Sequence, residues 1–528
     1  MCGICGVAFP AGSNRRLDRA LIERMNSTIA HRGPDGEGIF VQDGIGLGHR
    51  RLSIVDVALG AQPMSVRDGA VQMIYNGEIY NHPTLMPELK AAGVQYRTRS
   101  DTETILHLYE RDGREMPRHL RGMFAFAIWD ARSRELLLAR DRLGVKPLYY
   151  VHTDDGSLFF ASEIKALLAG GAVQPSLNLA AFPDYLANHG TCGEDTLFEG
   201  VKRLPPGHTL VWHEDEPIAH PSSIALNFVS RLAAERVKVV LTGEGSDETL
   251  GGYGRYRYTI WNLMLGRTAR AVTGSAGHRL GSAIVERLPR GSRWQARLRR
   301  TALSRPATLD DLYFDNFAVF DRRAIRALLA PAHRETLGHI DPYAVAHELL
   351  RTTDAGSTLN QLLHVDLFTY LHELLMKQDQ MSMAASIESR VPFLDHPLIE
   401  FTATLPERLK LRGGTTKYVL REAMRDFLPP EILSRSKMGF PVPVGRWFRE
   451  AYTGWLNEFV LGERANARGL FDPAATRTLV AEHASRERDH TERLWALVNV
   501  ELWHRIFVDG ESPEDVGLTA PALAAAAR

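Results

Sequence analysis

Residues 1–9 of the chain read MCGICGVAF, which places Cys2 and Cys5 in a C-x-x-C spacing. This spacing is typical of half a zinc site or a redox dithiol, and either cysteine could also be a nucleophile. A zinc site would need a second pair of ligands, but the only other cysteine is Cys192 and no H-x-x-x-H pattern occurs. Redox C-x-x-C motifs sit where a strand feeds a helix, whereas this one lies inside an apolar, strand-like run. The residues therefore favour a nucleophile.

Cysteine at position 2 permits chemistry that a buried cysteine cannot perform. A small residue there allows removal of Met1, which leaves Cys2 with a free α-amine. That amine, with a pKa of about 8, can act as the base for the thiol of the same residue, the N-terminal nucleophile arrangement. The alternative, a small hydrophobic residue in a strand, suits Cys5 better. We predict that Cys2 is a nucleophile and Cys5 a core residue.

Composition narrows the class of protein. At 528 residues the chain is too long for one compact core, so two or three domains are expected. Its 63 basic and 63 acidic residues balance, which gives no electrostatic reason to expect nucleic acid or an anionic membrane as a partner. No apolar run approaches the ~20 residues that span a bilayer, and three cysteines are too few for a disulfide framework. We expect a cytoplasmic enzyme for small molecules, with a homodimer as one possible assembly.

Residues 2–210 are mostly short segments rich in β-branched and aromatic residues, bounded by Gly, Asp or Asn. Segments 19–33 and 101–113 instead carry apolar residues at helical spacing, and Ser100 with Glu103 forms a potential capping box for the second. The pattern predicts a β-rich sandwich with helices packed outside it. The predicted strands are GICGVAF, GIGLGHRRLSIVD, VQMIYNGEIYN, FAFAIWD, ELLLARD, PLYYV and SLFFASE.

After about Pro205 the pattern changes. Residues 222–241 read as an amphipathic helix and a buried strand, VKVVLT, which leads into the Gly-rich GEGSDETLGGY. A strand that ends in a Gly-rich loop before a helix is how doubly wound α/β folds build nucleotide sites. Beyond Tyr253 the sequence is mostly helical, and residues 513–528 are expected to form a disordered tail.

Four polar positions in the first half could serve the nucleophile. Arg51 could clamp a substrate carboxylate, and Asp101 could hold a substrate ammonium. Asn76 and Gly77 could supply an oxyanion hole. Each has a structural alternative: a surface charge for Arg51, a type I′ hairpin turn for Asn76-Gly77, and a first-turn acid favoured by the helix dipole for Asp101. The residues alone leave these alternatives open.

Together, the motifs of the first half resemble one family, the class-II glutamine amidotransferase domain in the version joined to asparagine synthetases. The motifs are MCGICG, HRGPDGEG, RLSIVD, NGEIYN, SDTE, GMFAFAIWD, ARDRLGVKPLYY and FASEIKAL. The resemblance implies glutamine hydrolysis through a thioester on Cys2, with Asn76 and Gly77 stabilising the oxyanion and ammonia passing to a second site. It implies that glutamine is bound by Arg51, Leu52, Ser53, Ile54, Val55, Asn76, Gly77, Glu78 and Asp101.

The second half is similar to the asparagine synthetase domain of that family. The similarity lies in HEDEPIAHPSS, VVLTGEGSDETLGGYGRY, LMKQDQMSMAASIESRVPFLDHPLIEF, TKYVLREAM, RSKMGFPVPVGRW and LWALVNVELWHRIF. It implies activation of the aspartate β-carboxylate by ATP with Mg²⁺, as an acyl-adenylate that ammonia attacks. It assigns ATP binding to Thr242, Gly243, Asp247 and Lys437, adenylate formation to Glu244, a place near the acceptor to Asp379, and no protein ligand to a metal. Without the resemblance, TGEGSD could be a tight turn and LLMKQDQMSMAAS a core-facing helix.

The chain departs from the family at one point. The family carries an SGGLDSS-type pyrophosphate loop on the first strand of the synthetase sheet, but here GHTLVW, ending at Trp212, runs directly into HEDEP. The absent part corresponds to about two βαβ steps of roughly 30 residues each. Its loss would remove charge stabilisation of the leaving pyrophosphate and leave VKVVLT either to find a different neighbour or to expose an edge. We therefore expect glutaminase activity to be more secure than ligase activity.

The sequence thus predicts an α+β N-terminal nucleophile sandwich (αββα) over residues 2–210. An α/β adenine-nucleotide-hydrolase-like synthetase domain follows over 211–512, incomplete at its start and with a largely helical C-terminal part. The predicted activity is glutamine-dependent asparagine synthesis. Two alternatives stay open: an amidotransferase for another carboxylate, and a catalytically dead scaffold or deletion variant. β-Lactam synthetases share the fold but lack the nucleophile, so Cys2 counts against them.

Overall fold

The structure is a computed structural model, and it describes residues 2–10, 17–42, 44–211, 230, 233–288, 293–435, 442–512 and 515–516. The chain divides into two compact units. The first comprises Met1–Asn178, Thr191–Thr249 and Leu367–Thr404, and the second Leu179–Gly190, Leu250–Asp366 and Leu405–Arg528. Lys437, the HEDEP segment, most of the predicted helix after residue 222 and most of the predicted tail lie outside the described residues.

The first unit contains two antiparallel sheets that follow the predicted strand segments. The strands are β1 (Gly3–Ala8), β2 (Gly36–Gln42), β3 (Ile45–Arg51), β4 (Met64–Val66), β5 (Val71–Ile79), β6 (Gly122–Asp130), β7 (Glu135–Arg140), β8 (Tyr149–His152), β9 (Leu158–Ala161), β10 (Lys202–Arg203) and β11 (Thr209–Val211). One sheet has the order β10-β8-β9-β1-β3-β2, and the other β11-β7-β6-β5-β4.

The two sheets enclose an apolar core, and helices cover their outer faces. Ile4, Ile74 and Phe160 are among the buried residues between the sheets. The other face of the five-stranded sheet packs against helices His82–Ala91 and Asp101–Asp112. Helix Arg19–Thr28 packs on the six-stranded sheet, where Gly46 leaves room for Ile22. The predicted αββα sandwich is confirmed.

One predicted strand is half as long as expected. The segment GIGLGHRRLSIVD is a strand only to Arg51, and residues 52–56 form a loop. The reason is the Arg51 guanidinium, which donates to the carbonyls of Val55, Asp56 and Val57 at 3.3, 2.8 and 3.0 Å. These bonds fold the chain back on the end of β3.

The predicted capping box before helix Asp101–Asp112 forms only in part. The Ser100 hydroxyl accepts from the backbone N–H of Thr102, as an N-cap should. The Glu103 carboxylate accepts from the N–H groups of Arg97 and Thr98 instead of that of Ser100. The Glu103 carboxylate therefore holds the loop before the helix and does not form the second hydrogen bond of a capping box.

Residues 367–404 belong to the first unit although they lie far along the chain. They include helix Tyr370–Ala384, whose Met376 and Met383 are fully buried, so this Met-rich segment does face the core. Two further strands, β12 (Val239–Leu241) and β13 (Glu388–Arg390), pair in parallel. Among the described residues β12 has no second partner, and its Leu241 is 73% exposed.

The second unit is mostly helical, as predicted. Its buried Asp366 accepts from Arg255, Tyr256 and Tyr313 at 2.5, 2.5 and 2.7 Å, and β14 (Leu411–Arg412) pairs with β15 (Thr415–Thr416). No described helix is both long enough and apolar enough to cross a membrane. The remaining helices among the described residues of both units are Ile164–Ala169, Phe182–Asn188, Ser246–Leu250, Gly254–Glu286, Arg293–Leu298, Asp315–Phe317, Arg322–Leu328, Pro331–Arg334, Ala344–Thr352, Thr358–Phe368, His396–Thr404, Glu407–Lys410, Tyr418–Ala423, Pro430–Ser434, Val444–Arg449, Thr453–Phe459, Glu463–Ala467, Pro473–Ala484 and Thr491–Trp503, with 3₁₀ turns at Ala30–Arg32, Arg67–Gly69, Gly113–His119 and Pro392–Leu394 and π turns at Asp310–Phe314 and His504–Val508.

A buried arginine shapes the turn in ARDRLGVKPLYY. The Arg140 side chain is 2% exposed and donates to the carbonyls of Lys146, Leu204 and Gly144, each at 2.7 Å. A single side chain thus closes the turn and ties it to the segment before β11.

Arg140→Leu should lower the stability of the first unit. The substitution leaves three buried carbonyls without donors, at about 1–3 kcal/mol each. Thermal unfolding followed by circular dichroism should show a clear fall in Tm. Arg19→Leu removes only the exposed pair with Glu23, worth about 1 kcal/mol or less, and is the matched control. Equal Tm values for the two variants would contradict this role of Arg140.

Candidate active site

Cys2 lies directly before β1 and is half-buried. Its N–H donates to Oδ1 of Asn76 at 3.1 Å, and its carbonyl accepts from Nε of Arg32 at 3.2 Å. Burial raises the pKa of the Cys2 thiol, and a backbone hydrogen bond from Leu52 acts in the opposite direction. The backbone of Cys2 is therefore fixed on both sides, and its thiol needs a base to become a nucleophile.

Cys5 has a different environment from Cys2. It is fully buried, and burial raises the pKa of its thiol to about 12. Its Sγ lies 4.0 Å from Oδ1 of Asn26. Within the described ranges, no three His, Cys, Asp or Glu side chains gather into a potential metal site. Cys5 is a core residue in this structure.

Asn76 and Gly77 lie inside β5, so the alternative of a hairpin turn at this pair is wrong. Asn76 is fully buried, and its Nδ2 has no hydrogen-bond partner among the described residues. A Cβ on Gly77 would lie 2.3 Å from the carbonyl oxygen of Met123 on β6. Glycine is therefore needed for the close approach of the two strands. Nδ2 of Asn76 is available to donate to a negatively charged oxygen, as an oxyanion hole requires.

Two carboxylates lie close to this strand. Asp101 is 5% exposed and accepts from Oη of Tyr75 at 2.8 Å and from the N–H of Ile79 at 3.0 Å. Burial raises the pKa of Asp101, and these two bonds act against that effect. Burial and then the charge of Asp101 raise the pKa of Glu78 to about 7, while the charge of Arg390 lowers it. The pair would accept a cation such as a substrate ammonium.

Arg51 has a role that the sequence did not reveal. Three of its N–H donors bind the carbonyls of Val55, Asp56 and Val57, so these donors are not available to a substrate carboxylate. The loop that it folds places Leu52 against Cys2, while the N–H of Ser53 donates to Oδ2 of Asp35 at 2.8 Å. Arg51 shapes the predicted segment 52–55 around the nucleophile.

Sequence reasoning missed Arg32. Its guanidinium has no exposed surface and donates to Oε1 of Glu163 at 2.9 Å and to Oδ2 of Asp379 at 2.8 Å, besides the carbonyl of Cys2. Arg32 and Glu163 lie within HRGPDGEG and FASEIKAL, but nothing in their spacing indicates that they meet. Asp379, predicted near the acceptor, lies in the structure on Arg32.

The residues predicted to bind ATP begin where β12 ends. The N–H and Oγ1 of Thr242 donate to the carbonyl of Arg390 at 2.9 and 3.3 Å. Gly243 has open space where a side chain would start, and Gly245 adopts a φ of +85°. Asp247 lies in the short helix Ser246–Leu250, with Glu244 in the turn before it. The segment is a strand, a Gly-rich turn and a helix, as predicted, but the prediction that the strand is buried is wrong, because β12 is partly exposed along its length.

Comparison with known proteins gives matches to both halves of the chain. Residues 1–221 match the model of the glutamine amidotransferase domain, and residues 186–505 that of asparagine synthase. The chain is 29% identical to glutamine-hydrolyzing asparagine synthetase 1 of Bacillus subtilis (strain 168), over 96% of this chain and 97% of that protein. It is 30% identical to the putative glutamine-hydrolyzing asparagine synthetase of Mycobacterium tuberculosis (strain ATCC 25618 / H37Rv), over 96% and 98%.

This chain is shorter than the relative from Bacillus subtilis. The alignment with the Bacillus subtilis protein is 635 positions long, more than 100 longer than this chain of 528 residues, so that relative contains residues that this chain lacks. Among solved structures, that of the allosteric regulatory enzyme of purine biosynthesis is 20% identical with a TM-score of 0.31, over 46% of this chain and 60% of that chain. The family models and the strand order give an N-terminal nucleophile domain followed by a synthetase domain.

Asn76→Asp should lower kcat for glutamine hydrolysis about 10²–10³-fold with a smaller change in KM, as loss of one oxyanion donor does. The variant keeps an oxygen for the N–H of Cys2 but loses Nδ2. Asn26→Asp makes the same change at a buried asparagine beside Cys5 and should stay within a few-fold of the wild type. A loss confined to KM would contradict the oxyanion role.

Glu78→Gln should gain thermal stability relative to the wild type as the pH rises. The pKa of Glu78 is about 7 in the folded protein against a usual 4.5, so its ionisation removes stability between these two values. Glutamine does not ionise and escapes this loss. The Tm of the variant minus that of the wild type should therefore be larger at pH 8 than at pH 5. A difference that is constant or falls with pH would contradict the raised pKa.

Proposed function

The chain belongs to the asparagine synthase family, and we propose that it is a glutamine-hydrolysing asparagine synthetase that acts in the cytoplasm. Its first half releases ammonia from glutamine at Cys2. Its second half uses ATP to activate the β-carboxylate of aspartate, and ammonia converts the activated acid to asparagine. The enzyme is then a carbon–nitrogen ligase with glutamine as its amide donor.

Glutamine hydrolysis follows from the groups around Cys2. After removal of Met1, the α-amine of Cys2 takes the thiol proton, and Sγ attacks the side-chain amide carbon of glutamine. Nδ2 of Asn76 and the backbone N–H of Gly77 stabilise the oxyanion. The amine returns its proton to the leaving nitrogen, which departs as ammonia, and water then hydrolyses the thioester to glutamate. The unpartnered Nδ2 of Asn76 beside Cys2 is the observation that carries this proposal.

The substrate is held by the surroundings of this centre. Asp101 and Glu78 receive the α-ammonium of glutamine, because they are two adjacent carboxylates next to the oxyanion donors. The glutamine is enclosed by the segment Arg51, Leu52, Ser53, Ile54 and Val55. The Arg51 side chain holds this loop with three N–H donors, and only the donors that it does not use on the loop are left for the α-carboxylate.

ATP is assigned to the loop after β12. Within the described ranges the peptide N–H groups of Gly243 and Gly245 make no hydrogen bond, so they are available to phosphate oxygens. Thr242 and Asp247 flank them, Glu244 serves adenylate formation, and Lys437 meets phosphate charge. Mg²⁺ would neutralise charge on the phosphates, and no ligand from this chain is assigned to it. We propose that Asp379, which pairs with Arg32, lies near the acceptor.

The missing SGGLDSS-type loop affects only the second half-reaction. Without its backbone donors the leaving pyrophosphate is less well stabilised, and the exposed Leu241 on β12 agrees with a shortened sheet. We therefore propose that adenylate formation is slow relative to glutamine hydrolysis. The two alternatives, another carboxylate as acceptor and a dead scaffold, are not favoured by relatives that are named asparagine synthetases over 96% of the chain. A homodimer stays a prediction.

Two assays on the full-length protein test the proposal. Glutamate release from glutamine measures the first half-reaction, and pyrophosphate release with ATP, Mg²⁺, aspartate and ammonia measures the second. We expect rapid glutamate release and slower pyrophosphate release, with asparagine as the product. Cys2→Ala should abolish glutamate release and leave ammonia-dependent pyrophosphate release unchanged, while Cys192→Ala should change neither.

Each outcome decides a different part of the proposal. Glutamate without any pyrophosphate would overturn the ligase half and keep the amidotransferase. Pyrophosphate release as fast as glutamate release would overturn the expected effect of the missing loop. The absence of both activities would favour a scaffold, and pyrophosphate release with an acceptor other than aspartate would favour another amidotransferase.

A further inference from the structure

Arg390 on β13 faces the predicted glutamine pocket. Its Nη2 donates to Oε2 of Glu78 at 2.9 Å, and its Nε donates to Oε1 of Glu388 at 2.6 Å. The Glu388 side chain is 3% exposed, that of Glu78 19% and that of Arg390 26%. One guanidinium therefore joins the strand that carries Asn76 and Gly77 to the strand that pairs with β12.

The backbone of the same residue holds the predicted ATP loop. The carbonyl of Arg390 accepts from both the N–H and Oγ1 of Thr242, the residue that follows β12. The register is fixed over three residue pairs, with Leu241 opposite Arg390. The N–H of Glu388 also donates to the carbonyl of Lys238 at 2.7 Å. Movement of Arg390 along or away from its strand must therefore change the position of Thr242.

We propose that Arg390 is a positioning residue that couples occupancy of the glutamine pocket to the conformation of the 242–247 loop. The inference rests on the proposed function, because it takes glutamine and ATP as the two ligands. Its side chain responds to the pocket and its carbonyl holds the loop, so a ligand at either place changes the contacts available at the other.

The charge balance gives the physical reason. Three acidic residues, Glu78, Asp101 and Glu388, lie at the predicted glutamine pocket or beside it. Arg390 bonds to two of them, Glu78 and Glu388. Lys146 is a second cation nearby, and its charge acts on Glu388. The α-ammonium of glutamine adds a cation at Glu78 and Asp101, which weakens the hold of Glu78 on Arg390 and leaves Glu388, on its own strand, as the stronger partner. A ligand can shift an equilibrium only by such a difference in interaction between two states.

The coupling can be measured as a change in binding affinity. In a full-length Cys2→Ala background, which binds glutamine without hydrolysing it, the Kd of ATP with Mg²⁺ is measured by calorimetry with and without saturating glutamine. Aspartate is omitted so that no adenylate forms. We expect glutamine to change the Kd of ATP at least five-fold, and ATP to change the Kd of glutamine by the same factor, because coupling between two sites is reciprocal.

Arg390→Gln should reduce this factor to within two-fold of unity, whatever it does to either Kd alone. Arg390→Lys keeps the charge but lacks the planar fork of N–H donors with which the guanidinium reaches Glu78 and Glu388 together, so it should give an intermediate factor. The matched control is Arg121→Gln. Arg121 also bonds to the 367–404 segment, through Nε to Oδ1 of Asp395 at 2.7 Å, and its loss should leave the coupling intact. If Arg390→Gln does not fold by circular dichroism, Arg390→Lys serves as the test.

The outcomes separate this inference from the proposed function. ATP binding that is independent of glutamine in the Cys2→Ala background overturns the coupling and leaves the proposed function standing. Coupling that survives in the Arg390 variants, or that is lost equally in Arg121→Gln, also overturns the role of Arg390. Failure of ATP to bind at all overturns both the ligase proposal and the coupling. Failure of glutamine to bind overturns both the amidotransferase proposal and the coupling.

Discussion

A buried positive charge, Arg32, is the constraint on which the first unit depends. An unpaired charge without solvent costs several kcal/mol, so its surroundings must supply acceptors. Burial lowers the pKa of Arg32, but the charges of Asp379 and Glu163 outweigh this effect and keep the guanidinium ionised. Because its remaining bond goes to the carbonyl of Cys2, the same group that satisfies two distant carboxylates fixes the backbone of the nucleophile. Helix Tyr370–Ala384 is thus part of the support of Cys2.

The predicted pocket beside Cys2 is acidic, and one cation from the same distant segment, Arg390, pairs with Glu78 there. Burial and the charge of Asp101 raise the pKa of Glu78, and the charge of Arg390 opposes that rise. Asn76 contributes one oxygen to the nucleophile and leaves its nitrogen for a substrate oxygen. Backbone support, charge balance and the oxyanion donor thus come from three separate parts of the chain.

Local patterns in the sequence predicted the sandwich well, because strands that are buried on both faces are short apolar runs bounded by turn residues. They failed where a side-chain hydrogen bond to the backbone, or a contact from another strand or a distant segment, decides the local structure. Arg51 turns residues 52–56 away from β3 by taking their carbonyls, and Glu103 is drawn to residues 97 and 98 by two backbone donors. Asn76-Gly77 reads as a turn because the reason for its glycine, the approach of Met123, lies on another strand. The pairs of Arg32 with Asp379 and of Arg390 with Glu78 join residues more than 300 positions apart, which no short-range pattern can indicate. Motif identity, carried by the family resemblance, is what predicts roles for Cys2, Asn76 and Asp101, and the structure brings Cys2 and Asn76 within hydrogen-bond distance of each other.

The membership of residues 367–404 in the first unit has a consequence for how such a protein can be taken apart or assembled during evolution. Along the sequence, residue 211 marks the boundary between the two predicted domains, where recombination could exchange one domain for another. In the folded chain this boundary does not separate two independent parts, because a fragment that ends at residue 211 keeps the pair of Arg32 with Glu163 but loses Asp379 from Arg32 and Arg390 from Glu78. Exchange of one half for that of another protein would therefore remove partners of buried charges in the first domain, and it would favour compensating changes at those positions.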